Sequence, residues 1–547
     1  MRTSQRPGTT ARHVGAIETV DAVVVGGGHH GLVAAAVLAD AGWDVVVLEA
    51  NEVVGGAVAS TQLDGWTMDT FSACHPLAVA SPVLRALELS DHGLQWCHAP
   101  RPLTHVGTAG DDHGAALHPD PHQTAADLDD RRDADQWLRL VEHYQTIKGP
   151  LLDALLTQWP PTTSAWRLLR AVGAPEVLDF VRFALLPLDQ MTRELFSGQR
   201  ARDLFAGNAM HADIPPQAPG SGLFGWLMTM LAQDVGFPSP RGGSGQLARA
   251  LASRAEQAGA SIRTGEAVVH IGVRSGRAQG VVTAAGHAIR ARRAVIANTS
   301  APALYRRLLP TSAVPAGLAA RLERFAWDLP TIKLNYRLSA PLPWTARLAR
   351  GAGVVHAGLD AASLGRWSAD LEAGVVPRDA FALVGQMSTI DASRSPAGHE
   401  ALWLYTHAPR DRADRRTADQ VAARTERMLD GFAPGWRDLV IDRWEQYPAD
   451  LAAADDNLGM GAVGGGTMQL FQQAIWRPAT GLGGPGTHVD GLYLASAATH
   501  PGGGVHGGAG YLAARAALRE QRWWGRPVRQ LRLAGLHGLY AQPPALG

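Results

Sequence analysis

Three glycines spaced as Gly26-x-Gly28-x-x-Gly31 follow the apolar run Ala22–Val25 and lead into Leu32–Ala41, which is rich in Ala and Leu. Such a turn between strand and helix binds a dinucleotide. Gly26 permits the tight turn, Gly28 lets backbone approach a pyrophosphate, and Gly31 lets helix and strand pack closely. The helix then points unpaired N–H groups and the positive end of its dipole at the phosphates. Glu49 ends the next strand, Asp44–Leu48, where it can accept hydrogen bonds from the adenosine ribose hydroxyls. Its charge disfavours the 2′-phosphate of NADP, since Ala50-Asn51 supplies no compensating Arg. Gly459–Gly464 and Gly502–Gly507 repeat the glycine spacing, but the first follows Asp455-Asp456-Asn457 instead of a strand, and no acidic strand end follows the second. His29 and His30 read as turn residues.

Other residues carry chemistry singly. Lys333 is one of two lysines against 48 arginines, and in Pro330–Leu338 strand alternation puts Ile332, Leu334 and Tyr336 on one face and Lys333 with Asn335 on the other. An ammonium can orient water and stabilise negative charge. His500 and His506 flank a glycine loop and titrate near neutrality, so either is a candidate acid or base; the plainer reading is that they shape the loop. His113, His118 and His122 lie among Asp111, Asp112 and Asp120, but Gly114, Pro119 and Pro121 mark an exposed loop, and no metal site is expected. No G-x-S-x-G elbow or H-E-x-x-H helix occurs, which removes the usual support for a hydrolase.

Composition bounds the rest. In 547 residues, 50 basic and 50 acidic side chains cancel, which argues against a nucleic-acid partner. Hydrophobic residues at 46% allow large cores, and the two cysteines, Cys74 and Cys97, form no C-x-x-C, which excludes a dithiol redox centre. No uncharged apolar run reaches the ~18 residues of a membrane span. Residues 1–18 hold Arg2, Arg6 and Arg12 without a following apolar core, so they read as a flexible extension and the protein as cytoplasmic.

Beyond Glu49, Gly55-Gly56 forms a second glycine pair, which a plain nicotinamide dehydrogenase does not need. With Pro240–Leu247, Gly259–Ile271 and Gly491–Gly510, it makes the chain resemble the flavoprotein oxidases and desaturases that include phytoene desaturase and the flavin amine oxidases. Thr499–Val505 and Asp391–Gly398 point to the phytoene-dehydrogenase-like branch, which includes carotenoid ketolase-like proteins. The resemblance implies FAD as cofactor, with Gly26, Gly28, Gly31 and Glu49 on its ADP half and Gly55 and Gly56 running past the flavin. It further implies Val268 at the adenine edge, Gly503, Gly504, Val505 and His506 under the flavin ring, and Lys333 holding a water near flavin N5. Ser496-Ala497 stands where many relatives have Gly-Asp, and Ala57 where many have Arg.

The implied fold is α/β: a Rossmann-like, parallel-sheet FAD-binding domain with a discontinuous α+β substrate domain. Residues 19–75, 236–301 and 471–520 form the first domain, and 76–235 with 302–470 the second. The insertions predict helices over Ala134–Leu156, Ala165–Leu185, Leu223–Val235 and Ala418–Phe432, and strands over Thr331–Leu338, Phe381–Gln386 and Ala401–His407. Residues 521–547 form a basic, aromatic tail, with Trp523-Trp524 among arginines, suited to peripheral contact with the inner face of a membrane. The expected function is removal of hydride from a carbon centre of a largely apolar substrate, with Lys333 and His500 as candidate catalytic residues. Oxygen, a quinone or another carrier then accepts the electrons. Two alternatives stand beside it: a flavin amine oxidase, and a flavin-binding scaffold or assembly factor without turnover.

Overall fold

Ala22–Val25 has no polar side chain because it lies in the middle of a sheet covered on both faces. The computed structural model describes residues 17–157 and 160–544. The strand Glu18–Val25 runs parallel to Val45–Leu48 on one side and Ala288–Ala297 on the other. Ser261–Arg263 pairs in parallel with Val46–Leu48, and Leu492–Leu494 with Val295–Ala297. Val268–Arg274 and Arg277–Thr283 continue the sheet as antiparallel strands. Segments from the opening, middle and end of the chain therefore meet in one seven-stranded sheet.

Alternation along the strands assigns the faces. Ala22 and Val24 turn to a core shared with Leu32 and Leu38 of helix His29–Asp40, Leu251 of Gly245–Gln257 and Ala513 of Gly508–Glu520. Val23 and Val25 turn to the opposite core, with Leu304, Leu318, Phe325 and, from helix Gly525–Tyr540, Leu536 and Tyr540. The chain just past 301 thus packs on this first sheet, beyond the boundary that motif spacing suggests. Residues 1–16 of the expected extension lie outside the described residues. The sheet already begins at Glu18, paired with Arg263.

A second seven-stranded sheet has the order Val440–Gln446, Thr331–Leu338, Glu400–His407, Ala382–Gln386, Ala352–Ala357, Arg101–Val106, Ala115–Leu117. It is antiparallel except where Ala352–Ala357 meets Arg101–Val106. Ile332, Leu334 and Tyr336 enter a core under helix Arg415–Phe432. Val354, Leu383 and Trp403 face the other way, toward helices Arg131–Leu156, Gln199–Ala209 and Ser221–Val235.

One expectation needs correction. The single helix over Ala165–Leu185 is two, Thr162–Val172 and Val177–Leu185, broken at Gly173, whose φ of 92° leaves the helical region just before Pro175. In the basic, aromatic tail, Arg529 pairs with Asp490 and Arg532 with Glu520 on the body. Trp523 stays 85% exposed; residues 545–547 lie outside the described residues. No helix among the described residues is long and apolar enough to cross a membrane.

Candidate active site

A cavity of about 890 Å³ is lined from both sheets. At one end lie Gly26, Gly28, Glu49, Gly55, Gly56 and Val268. Gly28 stands at the start of helix His29–Asp40 with no side chain of its own to cap it, so it faces the cavity as bare backbone. Gly31 lies behind the turn, where a Cβ would stand 2.1 Å from the Gly26 carbonyl oxygen. Asn298, just past Ala288–Ala297, fastens the turn: its amide oxygen accepts from Gly28 N–H at 3.2 Å and Gly31 N–H at 3.3 Å, and its nitrogen donates to the Ala495 carbonyl at 3.2 Å. Sequence reasoning passed over Asn298, whose only signal is its position at the end of a buried strand.

Glu49 is buried, and its oxygens accept from Gly27 N–H at 2.7 Å and Asn51 N–H at 2.9 Å. The carboxylate therefore fixes the glycine turn while it also lines the cavity. Hydrogen bonds to a charged group contribute about 1.5–3 kcal/mol each. Glu49→Gln is expected to weaken FAD binding roughly tenfold or more, measured by flavin fluorescence during reconstitution; unchanged affinity would remove Glu49 from the binding scheme.

Gly503, Gly504, Val505 and His506 line the same cavity. His506 Nδ1 accepts from Gly508 N–H at 2.9 Å, so the proton sits on Nε2, which faces the Gly502 carbonyl at 3.3 Å. Burial pushes its pKa down to about 4, which keeps the ring neutral. His500 is also pushed down to about 4 by burial, with His506 and Arg477 adding to the effect. It is not among the cavity-lining residues, although its neighbour Pro501 is. The His/Asp-rich loop spends its side chains locally: Asp111 accepts from His113 and Gly114 N–H, Asp120 caps helix Pro121–Ala126, and His118 bonds Asp127 at 2.6 Å.

Lys333 lines the cavity from the second sheet and is buried. Its ammonium donates to the carbonyls of Asp69 and Phe71, the latter at 3.3 Å. Beside it lies a charge pair with no signal in the residue order. Asp69 and Arg394 are bonded to each other with both side chains fully buried. Asp69 also accepts from Ser60 Oγ at 2.7 Å and Ser244 N–H at 2.8 Å. Cys74 is no nucleophile, because burial and the Asp69 charge push its thiol up to about 12.

Burial pushes Lys333 down to about 8 against the attraction of Asp69. Between about 8 and the ordinary 10.5 the unfolded chain holds a proton that the folded protein has lost, so this residue's contribution to stability rises with pH across that window. The difference in urea midpoint between wild type and Lys333→Met is expected to shift in favour of wild type as pH rises through it. A pH-independent difference would show that the folded ammonium is not destabilised by burial.

Away from the glycine end the walls turn apolar, with Phe224, Leu227, Met228, Val354, Leu383 and Trp403. Polar groups there are few: His211, Asp213, Thr331 and Tyr405. Asp213 accepts from the Tyr405 hydroxyl and from His407 Nε2, each at 2.9 Å. His211 meets His356 at 2.9 Å, Nε2 to Nε2.

Residues 31–518 match the model of the family described as flavin containing amine oxidoreductase. The chain belongs to that family. Its cofactor is FAD, and it is an FAD-dependent oxidoreductase. It is 28% identical to pyridine nucleotide-disulfide oxidoreductase domain-containing protein 2 of Rattus norvegicus, covering 91% of this chain and 93% of that protein. It is 26% identical to the zeta-carotene-forming phytoene desaturase of Myxococcus xanthus, over 88% of this chain and 90% of that one. A putrescine oxidase structure superposes with a TM-score of 0.58 at 17% identity, over 91% of this chain and 98% of that one, a likeness of fold. The cavity fits FAD on its own terms. Its glycine end is bare backbone, and a Cβ on Gly28 would reach the Asn298 amide at 2.8 Å, so side chains are excluded where a pyrophosphate must approach.

Proposed function

We propose that this protein dehydrogenates a carbon–carbon bond of a largely apolar substrate, with the first sheet holding FAD and the second, with its helices, holding the substrate. The observation that carries this reading is the cavity's two-sided lining, with bare glycine backbone from the first sheet and an apolar wall from the second and its helices. Bound FAD supplies hydride acceptance at its ring. The turn at Gly26, Gly28 and Gly31, held by Glu49 and Asn298, binds the ADP half; Gly55 and Gly56 run past the flavin, and Val268 meets the adenine edge. Gly503, Gly504 and Val505 lie beneath the ring, and His506 keeps its Nε2 proton to brace the loop. Lys333, anchored on two carbonyls, holds an ammonium on the cavity wall that orients water. The apolar wall excludes bulk water and fixes the substrate C–H, which is how orientation lowers the barrier.

Oxygen, a quinone or another carrier reoxidises the flavin. The relative that forms zeta-carotene supports an apolar substrate. Lys333 in the cavity supports amine oxidation as the second reading. The exposed Val528, Leu531 and Trp523 beside Arg522 and Arg526 support peripheral contact of the tail with a membrane. The deciding experiment incubates the yellow protein anaerobically with hydrophobic extracts. Bleaching, with a product two hydrogens lighter by mass, supports the dehydrogenase. Peroxide release with amines alone would replace it by the oxidase, and flavin that no extract bleaches would leave a binding scaffold.

A further inference from the structure

Asp213 occupies an unusual place for a carboxylate. It ends the short turn Met210–Ala212 with φ 52°, the left-handed region that residues with a Cβ seldom enter. This conformation puts its side chain, 6% exposed, on the apolar part of the cavity wall. One oxygen accepts from His407 and the other from the Tyr405 hydroxyl. A carboxylate has about four acceptor positions, so two remain for a ligand.

The neighbouring charges decide what kind of donor fits. His407 Nε2 lies 2.9 Å from one Asp213 oxygen, and although burial pushes the ring down, that carboxylate outweighs burial and holds it above its usual range. Asp328, facing the same pair, is pushed up to about 7 by burial and by Asp213. Arg410 on that side is spent on Glu372 at 2.6 Å, whereas the buried Arg477 adds positive charge there and Lys333 adds it on the cavity wall. An ammonium would have to shed its hydration in a dry site where Arg477 and Lys333 are already cations and both Asp213 oxygens already accept from Tyr405 and His407. A hydroxyl brings a donor and no charge. We propose that the Asp213 carboxylate anchors a hydroxyl group carried by an otherwise apolar substrate. The inference rests on the apolar-substrate reading above and narrows it to alcohols.

The test uses the full-length, FAD-loaded protein and three probes of one chain length: dodecan-1-ol, its methyl ether, and dodecylamine, delivered from cyclodextrin. Binding is followed by tryptophan fluorescence, to which the cavity-lining Trp403 contributes. The alcohol is expected to bind about 10- to 100-fold tighter than the ether, as one hydrogen bond to a charged acceptor gives, and tighter than the amine. Asp213→Asn is expected to cut the alcohol's advantage at least tenfold while ether affinity holds. Tyr405→Phe, which frees one Asp213 oxygen, is expected to keep it. Equal binding of alcohol and ether, a stronger amine, an advantage that survives Asp213→Asn, or one that vanishes with Tyr405→Phe would each overturn the proposal. If Asp213→Asn does not fold, the ratios in wild type and Tyr405→Phe decide. The titration needs no turnover, so failure of extracts to bleach the flavin would count against the dehydrogenase reading alone.

Discussion

Gly31→Ala is expected to purify colourless, or to bind added FAD at least about 100-fold more weakly than wild type. The added methyl would lie 2.1 Å from the Gly26 carbonyl oxygen and 3.0 Å from the Asn298 amide. Overpacking costs about 1–3 kcal/mol where side chains can yield. Here the closest atom is backbone of the turn itself, and moving it displaces Gly28 at the helix start. A loss of about 3 kcal/mol in binding is a factor of about 100 or more. Gly535→Ala is the control: nothing lies within 4 Å of a Cβ there, and its helix gains from losing a glycine. Visible flavin absorbance per protein, with circular dichroism as the folding check, measures both variants. A yellow, normally binding Gly31→Ala would mean that the turn is not where the pyrophosphate lies.

That turn was legible in the sequence because its glycines and the elements flanking them are consecutive in the chain. Gly26, Gly28 and Gly31 lie within one turn, and strand, helix and strand follow in order on either side. The parallel sheet was legible for a related reason, since strands buried on both faces must read as unbroken apolar runs. Asp213 shows what sequence order hides. It is one acid among many until the fold brings His407 and Tyr405, 194 and 192 residues away, onto its two oxygens. Asn298 is similar: its amide joins the opening turn to Ala495 near the far end of the chain. The state of His506 was equally hidden, because a histidine's tautomer follows from the hydrogen bonds it makes and residue type leaves them open. The break at Gly173 is written in the chain as Gly-Ala-Pro, residue types that end helices.

Arg394→Met is expected to destabilise the protein by about 3–5 kcal/mol, the range seen when one partner of a buried ion pair is removed. Arg394 and Asp69 are both fully buried and bonded to each other, 325 residues apart in the chain. Without the guanidinium, Asp69 keeps its bonds to Ser60, Ser244 and the nearby Lys333, but its charge is left largely uncompensated. Replacing both partners, as Asp69→Asn with Arg394→Met, is expected to recover much of the loss, because the cost lies in the orphaned charge. The same pair predicts an acid dependence. Burial pushes the Asp69 carboxyl up, yet Arg394, the Ser244 N–H and the Ser60 hydroxyl together hold it below its usual value. A carboxylate depressed in the folded state stabilises above the unfolded value of about 4 and loses that contribution as pH falls through the folded value. Urea unfolding of wild type should therefore weaken in acid. In Arg394→Met, where burial acts without its counterweight, this component of the acid loss should disappear or change sign. A single variant as stable as wild type, or a double variant worse than either single one, would show that the pair does not hold these distant segments together.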